Sequence, residues 1–193
     1  MLKENLLKVI EQQPIELYEE QLAFLERQNA IENKENIIIK DPKERFQDAL
    51  MERCEKETVE LIVVEAPIFF NEKIEHFKVR SNEFLYVEAN QLSLLGVDAL
   101  SLEVDDVFGT HTALFGLQLK KLYRQAIIDF LEANLKDEVG KYSIEFSGQD
   151  GLWNINFALN YVDGFKEDMT IGEAYELMYQ TIFKLVSSIE EAA

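Results

Sequence analysis

Across 193 residues there is one cysteine, Cys54, and there are two histidines, His76 and His111. A lone thiol excludes an intrachain disulfide and every multi-cysteine metal motif, and two imidazoles exclude a three-histidine site. Cations are scarce as well: 19 Lys and Arg stand against 37 Asp and Glu, a formal charge of −18. Binding a nucleic-acid backbone needs clustered cations, so neither nucleic acid nor an anionic membrane is an expected partner. No apolar run reaches membrane-spanning length, and no basic stretch, apolar run and cleavage site open the sequence. The expected location is the cytoplasm. Phosphate-cradling glycine fingerprints are missing: Gly140 and Lys141 are adjacent, but Tyr142 follows and no upstream glycine completes a P-loop. HExxH, GxSxG and EF-hand patterns are missing too, and no cofactor is expected.

What is present is enough apolar sequence, 47%, to build a substantial core. The first forty residues read as an N-terminal helical extension. Leu2, Leu6, Leu7 and Ile10 form one stripe, and after Pro14, Leu17, Tyr18, Leu22 and Leu25 form another. Residues 41–193 read as the main domain. Asp41 as cap, Pro42 in the first turn and Glu44 as the returning carboxylate predict a helix over 41–57, with Phe46, Ala49, Leu50, Arg53 and Cys54 along one side. On that reading Cys54 is a buried core thiol. From Val59 the pattern changes to strands: a β-branched run ending at Pro67, an arm from Ile74, a turn at residues 81–83, and a return through Phe84–Glu88. Residues 89–108 give no secure assignment. Between Thr110 and Leu135 the apolar positions predict one long central helix. The clearest signal follows. Tyr142, Ile144 and Phe146 alternate with polar residues, as do Trp153, Ile155, Phe157, Leu159 and Tyr161, and Gly148, Asp150 and Gly151 supply a tight loop between them. Thr170 and Glu173 then form a capping box for a closing helix. The expected fold class is α+β, an antiparallel sheet with order α-β-β-β-α-β-β-α preceded by N-terminal helices.

Two constellations are candidates for a site. Asp105, Asp106 and His111 lie close in sequence, and carboxylates beside an imidazole can orient a general base or bind a divalent cation. The bland reading is that the acids favour a helix dipole and the threonines flanking His111 cap. Asn154, Asn156 and Asn160 form an amide row that offers donors and acceptors on a sheet face, against the ordinary reading of a solvated surface. His76 sits among acids and aromatics and reads as structural. The longest tract free of Lys and Arg, from Ser81 to Leu119, carries Glu83, Glu88, Asp98, Glu103, Asp105 and Asp106, a surface suited to a basic partner.

The FLEANL segment at the end of the predicted long helix, then GKYSIEF, a DG turn, LWNINFALNYV and the capped closing helix resemble the type III secretion chaperone-like superfamily, which includes the YbjN-like bacterial sensory transduction regulators. The resemblance covers roughly the C-terminal third; residues 1–40 have no counterpart. It implies a protein without enzymatic activity, often a homodimer, that holds another polypeptide. The leading expectation is therefore a protein-binding adaptor or chaperone-like module. A second is an acidic immunity or inhibitor protein that neutralises a basic toxin or nuclease by charge mimicry. A third is an enzyme or metal-binding protein using Asp105, Asp106 and His111. A homodimer is expected because the apolar positions of residues 110–135 cover more of a helix than one sheet face would bury.

Overall fold

Period-two alternation, once neighbouring strands are available to complete it, decides the sheet at the centre of this chain. The computed structural model describes residues 1–31, 34–136 and 138–192. Seven strands among them form one sheet: β3 (Leu50–Glu55), β4 (Leu61–Val64), β5 (Glu83–Glu88), β6 (Val97–Val104), β7 (His111–Leu117), β8 (Tyr142–Ser147) and β9 (Leu152–Ala158). Their order is β4-β3-β5-β6-β7-β9-β8, and every pairing is antiparallel. A smaller parallel pair joins β1 (Ile15–Leu17) to β2 (Ile37–Ile39). The protein is α+β.

The registers separate the sheet into two faces. One row crosses it as Met51, Val87, Leu100, Phe115, Ile155 and Ile144, and it is apolar throughout. The neighbouring row reads Glu52, Tyr86, Ser101, Leu114, Asn156 and Ser143, and faces outward. The helix α6 (Ile171–Glu191) packs on the apolar face. Its Thr170 hydroxyl accepts from the Glu173 amide at 3.2 Å while the Glu173 carboxylate accepts from the Thr170 amide at 2.7 Å, so the expected capping box is formed. Tyr175, wholly buried on α6, donates its hydroxyl to the Leu85 carbonyl of β5 at 2.7 Å. That bond gives a buried phenol its partner and sets the helix against the sheet.

Residues 1–40 contribute to the same core. They form α1 (Leu2–Ile10), β1, α2 (Glu19–Arg27) and β2, and Leu2, Leu6, Leu17, Phe24 and Leu25 are fully buried. Phe24 meets Phe183 of α6 edge to face at 6.2 Å between ring centres.

Three sequence expectations are corrected. Asp41 does cap, accepting from the Lys43 amide at 2.9 Å, but it caps a 3-10 turn over Pro42–Glu44, and Leu50–Glu55 runs as a strand. The positions that suggested a helix there also alternate, and pairing on both flanks favours the extended form. The arm expected from Ile74 is a single helical turn, α3 (His76–Val79), so β5 alone carries that pattern. The long central helix is two elements: β7, then α5 (Arg124–Asn134). Ala113, Phe115 and Leu117 point into the core from a strand, where Gly116 suits the pleat better than a helix interior. The uncertain stretch 89–108 resolves into α4 (Asn90–Leu94), a turn at Gly96 with φ +74°, and β6. Five strands of the seven-stranded sheet thus precede α5, interrupted by α3 and α4, where three had been expected after a helix. The hairpin β8–β9 and α6 are formed as the sequence predicts, except that the second arm stops at Ala158 and Leu159–Tyr161 is a 3-10 turn.

Candidate functional site

The β6–β7 loop engages both of its acids. One Asp105 carboxylate oxygen accepts from the Val107 and Phe108 amides, both at 2.8 Å, which closes the turn. Asp106 pairs with Lys56 at 3.0 Å, and the same ammonium donates to the Val104 carbonyl at 2.8 Å. His111 faces the other way. It is completely buried, its Nε2 lies 3.2 Å from the Ile74 carbonyl, and its ring packs beside Phe165. Burial pushes the imidazole pKa below its ordinary value, so the ring is neutral at pH 7. Turn closure, an ion pair and core packing therefore occupy Asp105, Asp106 and His111 separately. Among the described residues no group of three or more His, Cys, Asp or Glu side chains is placed to hold a metal ion.

The amide row divides similarly. Asn154 and Asn156 lie on the outward face of β9, opposite Gly116 and Leu114. Asn160 belongs to the 3-10 turn Leu159–Tyr161 that follows; its side-chain oxygen accepts from the His111 amide at 2.7 Å and its amide donates to Glu167 at 3.2 Å. Two of the three amides share a face, and the third ties the turn to β7. His76 stacks edge-on against Phe69 and Phe77 and lies 3.6 Å from Glu83, where burial and then Arg53 hold its pKa down. Cys54 is buried, and burial, with Glu52 nearby, raises its thiol pKa, which leaves it a poor nucleophile.

The outward sheet face near β3, β5 and β6 is different in kind. Tyr86 projects from its middle and donates its hydroxyl to Glu88 at 2.7 Å. Burial and then Glu88 push the phenol pKa up to about 12, with Glu52 and Asp98 adding to the shift. Among the described residues no cation lies within ion-pair distance of Glu52, Glu88 or Asp98. Burial raises the neighbouring Glu103 pKa in spite of Lys56, with Asp106 and Asp105 contributing. Negative charge is thus gathered on a face with little local neutralisation. Beside it lies the edge strand β4, where Leu61, Ile62 and Val64 are 53%, 46% and 54% exposed. Sequence reasoning picked out Glu88, Asp98 and Glu103 as part of a cation-free tract. It did not place Glu52 and Tyr86 beside them, because residues 41–57 read as helix; the missed signal was the alternation of Glu52 with Met51 and Arg53.

Comparisons with protein-family models, curated proteins and solved structures find no match. The site therefore has to be read from its own chemistry. Among the described residues no helix is long and apolar enough to cross a membrane. A cavity of about 460 Å³ is lined by Lys73, residues of the 164–169 loop and the first turns of α6, and its charged lining residues, Lys73, Lys166, Asp168, Glu173 and Glu176, are of both signs.

Proposed function

We propose that this protein is a non-enzymatic protein-binding module whose outward sheet face receives a basic partner protein. The observation that carries this reading is the set Glu52, Glu88 and Asp98 around Tyr86, carboxylates held near one another with no cation among the described residues to offset them. Like charges so placed repel, and a partner supplying Lys or Arg relieves that repulsion while its field speeds encounter. Tyr86 adds an aromatic, hydrogen-bonding contact of the sort enriched at interfaces. The chaperone-like resemblance of the C-terminal third points the same way. Of the two grounds for a homodimer, the over-wide helix face falls away, since Leu114, Phe115 and Leu117 belong to β7; the family resemblance still implies one.

The test compares the wild-type chain with a Glu52→Gln, Glu88→Gln, Asp98→Asn variant as bait in native lysate. A specific partner should be enriched by the wild type, released as salt shortens the screening length from about 10 Å to about 3 Å, and bound roughly tenfold more weakly by the variant. Equal recovery by both baits would reject the face as the binding surface. Should the partner be a basic toxin or nuclease whose activity is lost in the complex, the module is an inhibitor.

A further inference from the structure

The edge strand β4 specifies the shape of a partner as well as its charge. Among the described residues only its β3 side is paired. The Glu65 amide donates to the Met51 carbonyl at 2.9 Å, so by alternation the main-chain groups of Val64 point away from the sheet, where a further strand would lie; beyond Val63 the register with β3 shifts, and Leu61 comes opposite Cys54. Leu61, Ile62 and Val64 are about half exposed along that edge, and Leu50 beside them is 42% exposed. The β3–β4 connection strengthens the display: Val59 holds φ +58°, a strained conformation for a β-branched residue, and its side chain is 67% exposed.

The charges flanking this edge choose among occupants. Nearby cations are committed, Arg53 to Glu65 and Glu83, and Lys56 to Val104 and Asp106. Glu57 and Glu60, both exposed at one end of the strand, have no cation partner among the described residues. A second copy would set Glu57 and Glu60 of one chain against the edge of another that also carries a net charge of −18. Like charges opposed across a ladder are unfavourable, so the acids that guard this apolar edge against self-association also select for the opposite charge. We infer that β4 is a strand-addition site for an extended, apolar segment flanked by Lys or Arg. Main-chain hydrogen bonds beginning at Val64 would hold the segment, apolar side chains would cover Leu61 and Val64, and its flanking cation would meet Glu60 and Glu57. The inference rests on the protein-binding reading above and adds the partner's form and docking edge.

The probe is a capped heptapeptide, Lys-Val-Thr-Ile-Thr-Val-Lys, titrated into the full chain while amide exchange is followed, with the Glu-flanked analogue as control. The basic peptide should bind, protect the Val64 amide, and bind at least about tenfold more tightly than the acidic one. Val64→Pro removes an outward amide without touching the bond from Glu65 to Met51, and should weaken binding about tenfold or more. Glu60→Lys, which leaves the backbone intact, should shift preference towards the Glu-flanked peptide. No protection of β4, or no change of preference in Glu60→Lys, would overturn the inference. Binding that survives Val64→Pro but is lost in the Glu52, Glu88, Asp98 variant would overturn it while leaving the sheet face as a binding surface. Concentration-dependent dimerisation abolished by Val64→Pro would assign the edge to a second copy instead.

Discussion

Removing the Arg45 side chain tests how residues 1–40 are joined to the sheet domain. Its guanidinium is fully buried between the rings of Tyr18 and Tyr179, at 3.8 and 3.9 Å from their centres. It pairs with Glu20 at 2.7 Å and in a two-pronged contact with Glu176 at 2.7 and 3.2 Å. Burial works against the charge, but the hydrogen bond to Glu176, then Tyr179 and Glu20, outweigh it and raise the Arg45 pKa. Arg45→Met would strip both carboxylates of their cation. Breaking a buried pair from one side typically costs about 3–5 kcal/mol. Glu20 and Glu176 keep 17% and 25% of their side-chain surface, so water can reach them and the expected loss lies towards the lower end of that range. Arg45→Lys keeps the charge but loses the fork and the stacking, and should cost roughly 1–2 kcal/mol. Adding Glu20→Gln and Glu176→Gln to Arg45→Met should recover much of the loss, because no unpaired buried charge then remains. Urea unfolding followed by tyrosine and tryptophan fluorescence reads these differences as midpoint shifts. An Arg45→Met chain within about 0.5 kcal/mol of wild type would refute the argument, since that is the scale of ordinary surface substitutions.

Local rules were sufficient where a segment's partner is its immediate neighbour in sequence. The β8–β9 hairpin was legible because Gly151, at φ +71°, and the Ser147 carbonyl close its loop locally and both arms alternate cleanly. The Thr170 cap was legible for the same reason. Residues 50–55 and 111–117 were not, because both faces of those strands carry bulky residues that also satisfy helical spacing. Met51 and Arg53 face inward while Leu50 and Cys54 face outward, and only pairing with β5 settles the choice. The candidate site inherits that difficulty. Its acids come from β3, β5 and β6, and β3 and β5, although separated by about thirty residues, are neighbours because β4 takes the outer edge of the sheet. A contiguous acidic tract is visible in sequence; a surface assembled from three strands is not.

Acidification should unfold the chain in two stages. His111 and His76 both have pKa values lowered chiefly by burial, so the folded state binds fewer protons than the unfolded one and stability falls as pH drops below about 6.5. Each group contributes up to about 1.4 kcal/mol per pH unit, and His111→Gln should flatten the urea-midpoint profile there; an unchanged profile would contradict the buried neutral ring. Further down, Arg53 and Arg80 overcome burial to hold the Glu83 pKa low, so its contribution is present above about pH 4.5 and lost as pH falls through the folded value; Glu83→Gln should remove that second decline. Thr170→Ala should cost about 1 kcal/mol by removing the α6 cap, with Thr170→Ser nearly neutral in the same assay. Deleting residues 1–40 takes away Leu2, Leu6, Leu17, Phe24 and Leu25, all fully buried, together with the Tyr18 ring and the Glu20 carboxylate around Arg45. The remaining chain would present the Tyr179 and Phe183 side of α6 to water, an apolar surface large enough to drive association. Light scattering at micromolar concentration should show oligomers of the truncated chain under conditions where Arg45→Lys, which leaves these residues in place, keeps the wild-type mass. A monomeric, cooperatively unfolding 41–193 fragment would show instead that the sheet and α6 complete their core without the N-terminal segment.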